Sequence, residues 1–576
     1  MCPFFLLATL LPLLMSCHRS RSSPGTATVL IESSPNSLDP RIGVDAQAER
    51  IDALIFDSLV RKDEHFNLQP WLAKRWEHPD PLTYIFHLRS GVRFHNGQAL
   101  TSADVAWTLD SLRNGSIVSP RSGNYLSIAS VQAVGPLTVA IHLSRPDNAL
   151  LWNLADGNFG VVPYGSGSSF GQHPVGTGPF EFVSQTQDRD VVLERNHHSW
   201  KPTVAPSNRI ESSGWLPGGP LQPVQDPRYA GTGALQSTRG DPRSGATAPQ
   251  PPAHIEHLRF VVVPDAITRA LELRKGSADA EMNALTADMV YSLRNDPNLA
   301  IDTAPGTVLN YINFNLRDTL LADKRVRQAI ACAIDRPAII HALFRDQARL
   351  ASGLLPIGHW AAVADTAQYA YDPVRARTLL DAVGFRPGAN GIRMRLTMKT
   401  STDETTRLLA AILQQQLRDV GIQLDLRSFE FGTFYGDITR SAFQMYALRW
   451  IGSNEDPDIF RYAYASASQP PHGANRGGYA NAQLDSLLAD AATTTNPTKR
   501  HEDYTQAQRI LAEDVPTINL WFLDNVMVHT KRLSNIHLDP SGSYSFLRDA
   551  TLATYQHSVG LPSLTVPIPH SQATKK

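Results

Sequence analysis

The chain has 576 residues, 42% hydrophobic and 19% charged, which is enough for roughly three to four structural units of ~150 residues. Its formal net charge is -1 and its pI near 7.0. Bulk electrostatics therefore supplies no field for nucleic acid or for an anionic membrane surface, and any partner has to be chosen by a site.

The apolar run over 4–14 is too short to span a bilayer as a helix and reads as the core of a signal sequence. Leu14-Met15-Ser16-Cys17 resembles a bacterial lipoprotein signal-peptidase site. That reading makes 1–17 a lipoprotein signal peptide, with Cys17 lipidated as a membrane anchor, and 18–26 a polar tether. The other reading is a plain secretory signal with an incidental cysteine; no Lys or Arg precedes the run, and Met15 is bulkier than usual there. Of three cysteines, Cys2 leaves with the signal and Cys17 is acylated. Only Cys332 is left, so no internal disulfide is expected.

In chain order, a short strand over 28–31 runs into a Pro-stiffened loop over 33–40. A helix is expected next, with Ala48, Ile51, Ile55 and Leu59 along one side. Over 82–88 the side chains alternate with period 2, and Ser90-Gly91 and Asn96-Gly97 supply turn chemistry, which together predict a β-meander. Thr101 and Asp104 form a capping box ahead of a helix carrying Val105, Leu109 and Leu112.

Gly167-Ser168-Ser169-Phe170-Gly171 matches the G-x-S-x-G pattern of hydrolases. A nucleophile elbow needs a strand entering and a helix leaving, whereas Pro and Gly flank this stretch on both sides. No catalytic residue is assigned, and the chain is read as no enzyme. His197-His198 has no partner at metal-ligand spacing, so no metal and no cofactor is assigned. Over 202–252 roughly a third of residues are Pro or Gly, the level of irregular structure.

A strand over 255–263 precedes a helix ending at Gly276. A strand with alternating Asn follows over 311–315, then a helix in which Cys332 packs, then a restart at Asp335-Arg336-Pro337. Ile392, Met394, Leu396 and Met398 alternate; Leu409, Ile412, Leu413, Leu417 and Val420 form a helical stripe ended by Gly421; Ile422, Leu424 and Leu426 alternate again. This βαβ unit requires a parallel strand pair and a right-handed crossover. Helices are expected around Leu484 and Leu488 and from Asn496-Pro497, and a late strand over 517–522.

SSPNSLDP, IFDSLVRKD, PWLAKRWEHPDPLTYIFHLRSGVRFHNGQALTSADV and GTGPF resemble, in order, the signatures of family 5 solute-binding proteins, the extracytoplasmic receptors of peptide, nickel and opine ABC importers. The resemblance implies an α/β, two-lobed periplasmic-binding-protein fold of type II kind, with mixed sheets, an extra subdomain and a hinged interlobe cleft. It divides the chain into lobe I (27–58, 174–268 and 516–555), the extra subdomain (59–173), lobe II (269–515) and a tail (556–576), with 202–252 as an insertion. The implied partners are a peptide or other small solute, permease subunits with their ATPase, and a membrane reached through the lipid; no nucleic acid is implied, and the receptor is expected to be a monomer.

By the same resemblance, one cleft wall carries Arg449, Trp450, Ser453, Asn454 and Glu455, and the early loop offers Ser34, Asn36 and Ser37. Trp450 either presents a face to the ligand or braces the loop. Peptide-binding members carry an Asp where this chain has Ser453, and the oligopeptide-binding kind an Arg where it has Ala447. Both charged anchors are missing, which points to a rearranged polar arrangement for peptides or to another solute, such as a metal chelate, an opine or an oligosaccharide. A sensor or chaperone on the same fold is the alternative role.

Overall fold

In the computed structural model the described residues are 25–553, except 44, 156, 158, 201–252, 451–454 and 471–472. The expectations for Cys17, the tether, the insertion, Ser453, Asn454 and the tail lie outside them.

One mixed sheet of eleven strands runs through both lobes. In lobe I the first strand, Thr26–Ile31, lies parallel to His257–Val262 and to Ala280–Met282. In lobe II, Met394–Ser401 and Ile422–Phe429 are parallel, with Met394 opposite Ile422, and the helix Glu404–Asp419 forms the crossover. The alternation explains the strand, because Met394, Leu396 and Met398 are buried while Arg395 faces outward.

Two long antiparallel strands, Leu299–Phe314 and Thr517–Thr530, join the lobes. Residues 299–305 pair with 524–530 in lobe I, residues 309–313 pair with 517–522 in lobe II, and the register breaks between Pro305 and Leu309. Gly306 sits in the break, where a Cβ would come 2.4 Å from the Leu523 carbonyl. Since Ala280–Met282 pairs with the first strand, the expected lobe boundary at 269 falls inside lobe I, and the crossing comes at 305–309.

The extra unit is a four-stranded antiparallel sheet with its own core. Tyr84, Phe86 and Leu88 on the strand Thr83–Leu88 pack with Val105, Leu109 and Leu112 on the helix Ser102–Arg113. The Thr101 amide donates to Asp104 Oδ2 at 2.7 Å, as the capping box requires.

Three local expectations are corrected. The strand Thr83–Leu88 pairs with Ala73–Asp80 and Thr138–Leu143, and residues 92–99 form no meander strand, only a single bridge between Arg93 and Ala99. That segment is pinned instead by the GTGPF turn: the His95 amide donates to the Gly176 carbonyl at 2.9 Å and the Gly176 amide to His95 Nδ1 at 3.2 Å. The first helix, Ala46–Ile55, stops before Leu59, which is buried past its end. The strand expected over 311–315 is only the end of the sixteen-residue strand Leu299–Phe314.

Around the serine pattern the chain is loop followed by a short turn, Phe170–Gln172, with no strand entering. His197 is exposed and 3.2 Å from Glu256, and Cys332 is fully buried.

Candidate ligand-binding site

Parallel strands place their carboxyl ends, and hence their ligand loops, on one edge of the sheet. In lobe I those ends are Ile31, Val262 and Met282; in lobe II they are Ser401, Phe429 and Trp450, and Trp450 stands opposite Leu309 beside the hinge. Both sets of loops therefore face the same cleft.

Beside the cleft a cavity of about 280 Å³ is lined by Pro40, Glu49, Asp52, Phe56, Arg61, Lys62, Trp71, Arg121, Phe159, Phe546 and Arg548, among others. The first helix supplies one wall. Asp45 caps it, its Oδ1 accepting from the amides of Gln47 and Ala48 at 3.1 and 3.0 Å. Ala48, Ile51, Leu54 and Ile55 are buried, while Glu49 and Asp52 line the cavity.

Arg121 Nη2 donates to Glu49 Oε1 at 2.7 Å and to the Gly43 carbonyl at 2.9 Å. Burial raises the Glu49 carboxyl above its ordinary value even against that guanidinium. Burial raises the Asp52 carboxyl much further, with the nearby charge of Asp39 adding and Arg121 opposing. Arg61 and Arg548 lie over the Trp71 ring at 4.4 and 4.7 Å, which in turn donates from Nε1 to Asp57 Oδ1 at 2.8 Å.

Lobe II meets this wall through side chains of the extra subdomain. Lys62 forms an ion pair with Glu455, both side chains almost fully buried. His359 stacks on Phe66 at 5.4 Å; its Nε2 donates to the Glu455 carbonyl at 2.9 Å and its Nδ1 accepts from the Ala361 amide at 3.0 Å. Burial pushes this imidazole down to about 3, so it is neutral, and the two contacts fix its tautomer. Asn148 Nδ2 reaches the carbonyls of Ala491 and Thr494 at 3.2 and 3.1 Å.

Of the residues singled out from sequence, Glu455 is at this junction but engaged by Lys62. Trp450 stacks on Tyr311, centroids 5.7 Å apart, meets Tyr462 edge-on and keeps one side partly exposed. Arg449 is exposed opposite Asn310. Ser34 Oγ accepts from the Asp188 amide at 2.7 Å, the Asn36 amide donates to Asp45, and Ser37 Oγ accepts from the Asp39 amide. None of these three lines the cavity. Glu49, Asp52, Lys62 and Arg121 do, and were not singled out; the polar side of the first helix, opposite its apolar stripe, was the available signal.

Two lobes on one continuous sheet, joined by two crossing strands and turning the carboxyl ends of their parallel strands toward each other, define a solute-binding receptor. The model of the bacterial extracellular solute-binding proteins, family 5, middle region, matches residues 67–471, and the chain belongs to this family. It is 26% identical over 538 residues to the glutathione-binding protein GsiB of Escherichia coli O1:K1 / APEC, covering 91% of this chain and 94% of that protein. It is 26% identical over 562 residues to di/tripeptide-binding protein 1 of Pseudomonas aeruginosa strain UCBPP-PA14, covering 92% and 93%. Among solved structures it is similar to NikZ from Campylobacter jejuni in complex with Ni(L-His), with a TM-score of 0.69, 25% identity and coverage of 92% and 100%. NikA from Brucella suis in complex with Fe(III)-EDTA shares the fold with a TM-score of 0.75 at 21% identity, covering 92% of this chain and 99% of that one.

Proposed function

We propose that the chain is the receptor of an ABC importer, capturing a short peptide or peptide-like solute outside the cytoplasmic membrane and delivering it to a permease with its ATPase. The observation that carries this reading is the cavity, in which acidic and basic side chains, Glu49 and Asp52 with Arg61, Lys62 and Arg121, alternate with the apolar faces of Phe56, Trp71 and Phe546. Its volume of about 280 Å³ lies at the lower edge of the ~300–1,000 Å³ of small-ligand sites, which favours a solute of two or three residues. The relatives named for glutathione and for di- and tripeptides support the same class. With Ser453 and Ala447 at the family's anchor positions and Glu455 turned to Lys62, polar anchoring in this reading shifts to the wall built by the first helix and the extra subdomain. Cys17 carries the lipid anchor, and the receptor acts as a monomer.

Thermal-shift screening of the purified chain tests this. Di- and tripeptides and glutathione are expected to raise the melting temperature by several degrees; a rise confined to nickel-histidine or to an oligosaccharide would overturn the peptide reading. The anchor is tested separately, since Cys17→Ser should move the protein from the membrane to the soluble fraction.

A further inference from the structure

Two aromatic side chains of the extra subdomain are buried without joining its core. Phe66 is 2% and Trp152 6% exposed, yet among the described residues neither packs in the cluster that Tyr84, Phe86 and Leu109 build there. Both rings meet His359 of lobe II instead, with centroids 5.4 and 6.1 Å away, and His359 is itself buried. Lobe II is therefore what screens these two rings, and separating the lobes returns their apolar surface to water, which is unfavourable.

Phe66 reaches lobe II from the tip of a hairpin. The strands Val60–Lys62 and Leu68–Pro70 pair antiparallel, with Val60 opposite Pro70. Asp63 shapes the turn between them, its Oδ1 accepting from the amides of His65 and Asn67 at 2.9 and 2.8 Å and its Oδ2 from Gln69 Nε2 at 3.0 Å. At the tip Phe66 has a φ of 62°, in the left-handed region that a bulky side chain rarely adopts. Such strain persists only where surrounding contacts over-determine it, and it gathers at clamps and switches. Here the surrounding contact is with the other lobe. Lys62, at the base of the same hairpin, pairs with Glu455 of that lobe.

We propose that this hairpin is a latch that holds the two lobes together without any solute, with Phe66 seated against His359 as its bolt. The inference goes beyond the proposed function and does not depend on the class of solute. Strain in the Phe66 turn is offset by burying two rings across the lobe boundary, so the lobes stay together through contacts of their own. When they part about the hinge, Phe66 and Trp152 lose their cover and the turn is free to relax to a negative φ. A solute then enters only during the unlatched intervals, and Phe66 sets how often these occur.

The test is double electron–electron resonance on the full chain, refolded from guanidinium to remove any carried solute. Spin labels go at Val118→Cys in the extra subdomain and Val374→Cys in lobe II, both exposed positions, with Cys2 and Cys17 replaced by Ser and the buried Cys332 left in place. The otherwise wild-type chain is expected to give one short distance, and Phe66→Gly a second, longer distance in an at least tenfold larger fraction of molecules. Glycine adopts this φ without strain, so the hairpin keeps its turn and the variant reports only the lost ring. His359→Ala removes the other half of the same contact; it should open the receptor to a similar degree, and the double variant little further. Distances in Phe66→Gly that match wild type, whatever its melting temperature, would overturn the latch, as would additive opening by the two substitutions or a wild-type chain already as open as Phe66→Gly.

Discussion

Lys62 and Glu455 form an ion pair that ties the extra subdomain to lobe II, with only 8% and 9% of their side chains exposed. Removing one partner of a buried pair strands the other charge, typically at ~3–5 kcal/mol. Here the cost is reduced in two ways: the Lys62 charge is also felt by Glu49, and opening the cleft returns the lysine to water. Glu455→Gln is therefore expected to shift the unliganded receptor toward an open form, with a larger radius of gyration by small-angle scattering and a stability loss below that range. Scattering identical to wild type would show that the pair does not hold the lobes together.

Glu281, 1% exposed in lobe I, has its carboxyl pushed up to about 7, chiefly by burial, against the opposing Ala284 amide and Arg269. Unfolded glutamate titrates near ~4.3. Between those values the folded state keeps a proton that the unfolded state has lost, so this group's contribution to stability falls as pH rises through the window. The neutral His359, pushed down to about 3 by burial, acts in the opposite sense: its contribution is complete above ~6.5 and is lost as pH falls below that. Comparing Glu281→Gln with wild type isolates the first effect. Chemical denaturation should show the variant gaining on wild type from pH 5 to pH 8, by up to about 3 kcal/mol.

Gly176→Ala should yield no soluble folded protein, because its Cβ would lie 1.8 Å from the Ile55 carbonyl, a backbone atom at the end of the first helix. Gly167→Ala, with nothing within 4 Å of its Cβ, is the matched control and should express and melt like wild type. Soluble yield and circular dichroism distinguish the two.

Trp450→Ala is expected to lower the melting temperature by several degrees. Its ring lies 5.7 Å from that of Tyr311, which is 2% exposed, and loss of a large packed aromatic costs ~3–5 kcal/mol when fully buried, less for a partly exposed one such as Trp450. Trp450→Phe should recover most of the loss. A melting temperature unchanged in Trp450→Ala would remove the bracing role.

Much of the local fold is legible in the residues themselves. The βαβ unit announces itself because both strands and the helix between them keep their periods, and the Thr101–Asp104 box marks its helix within one residue. The meander over 82–99 misleads because turn residues fix where the chain bends and not which strand it meets; Thr138–Leu143 offers a longer, largely buried partner than Val92 and Phe94 can. The cavity was harder to read. Glu49 and Asp52 fall on what looks like the solvent side of an amphipathic helix, and nothing in sequence shows that the extra subdomain covers that side. Arg121 lies in an aperiodic stretch whose only signal is one charge. Lys62 and Glu455 are 393 residues apart, and only the folded chain brings them together.

The strand Thr517–Thr530 also bears on how the receptor is made. Lobe I begins at residue 26, yet Ala280–Met282 finds its outer neighbour only in residues 527–529, and Tyr544 stacks on Phe260 only after that. A ribosome has to finish nearly the entire polypeptide before the lobe made first can complete its core.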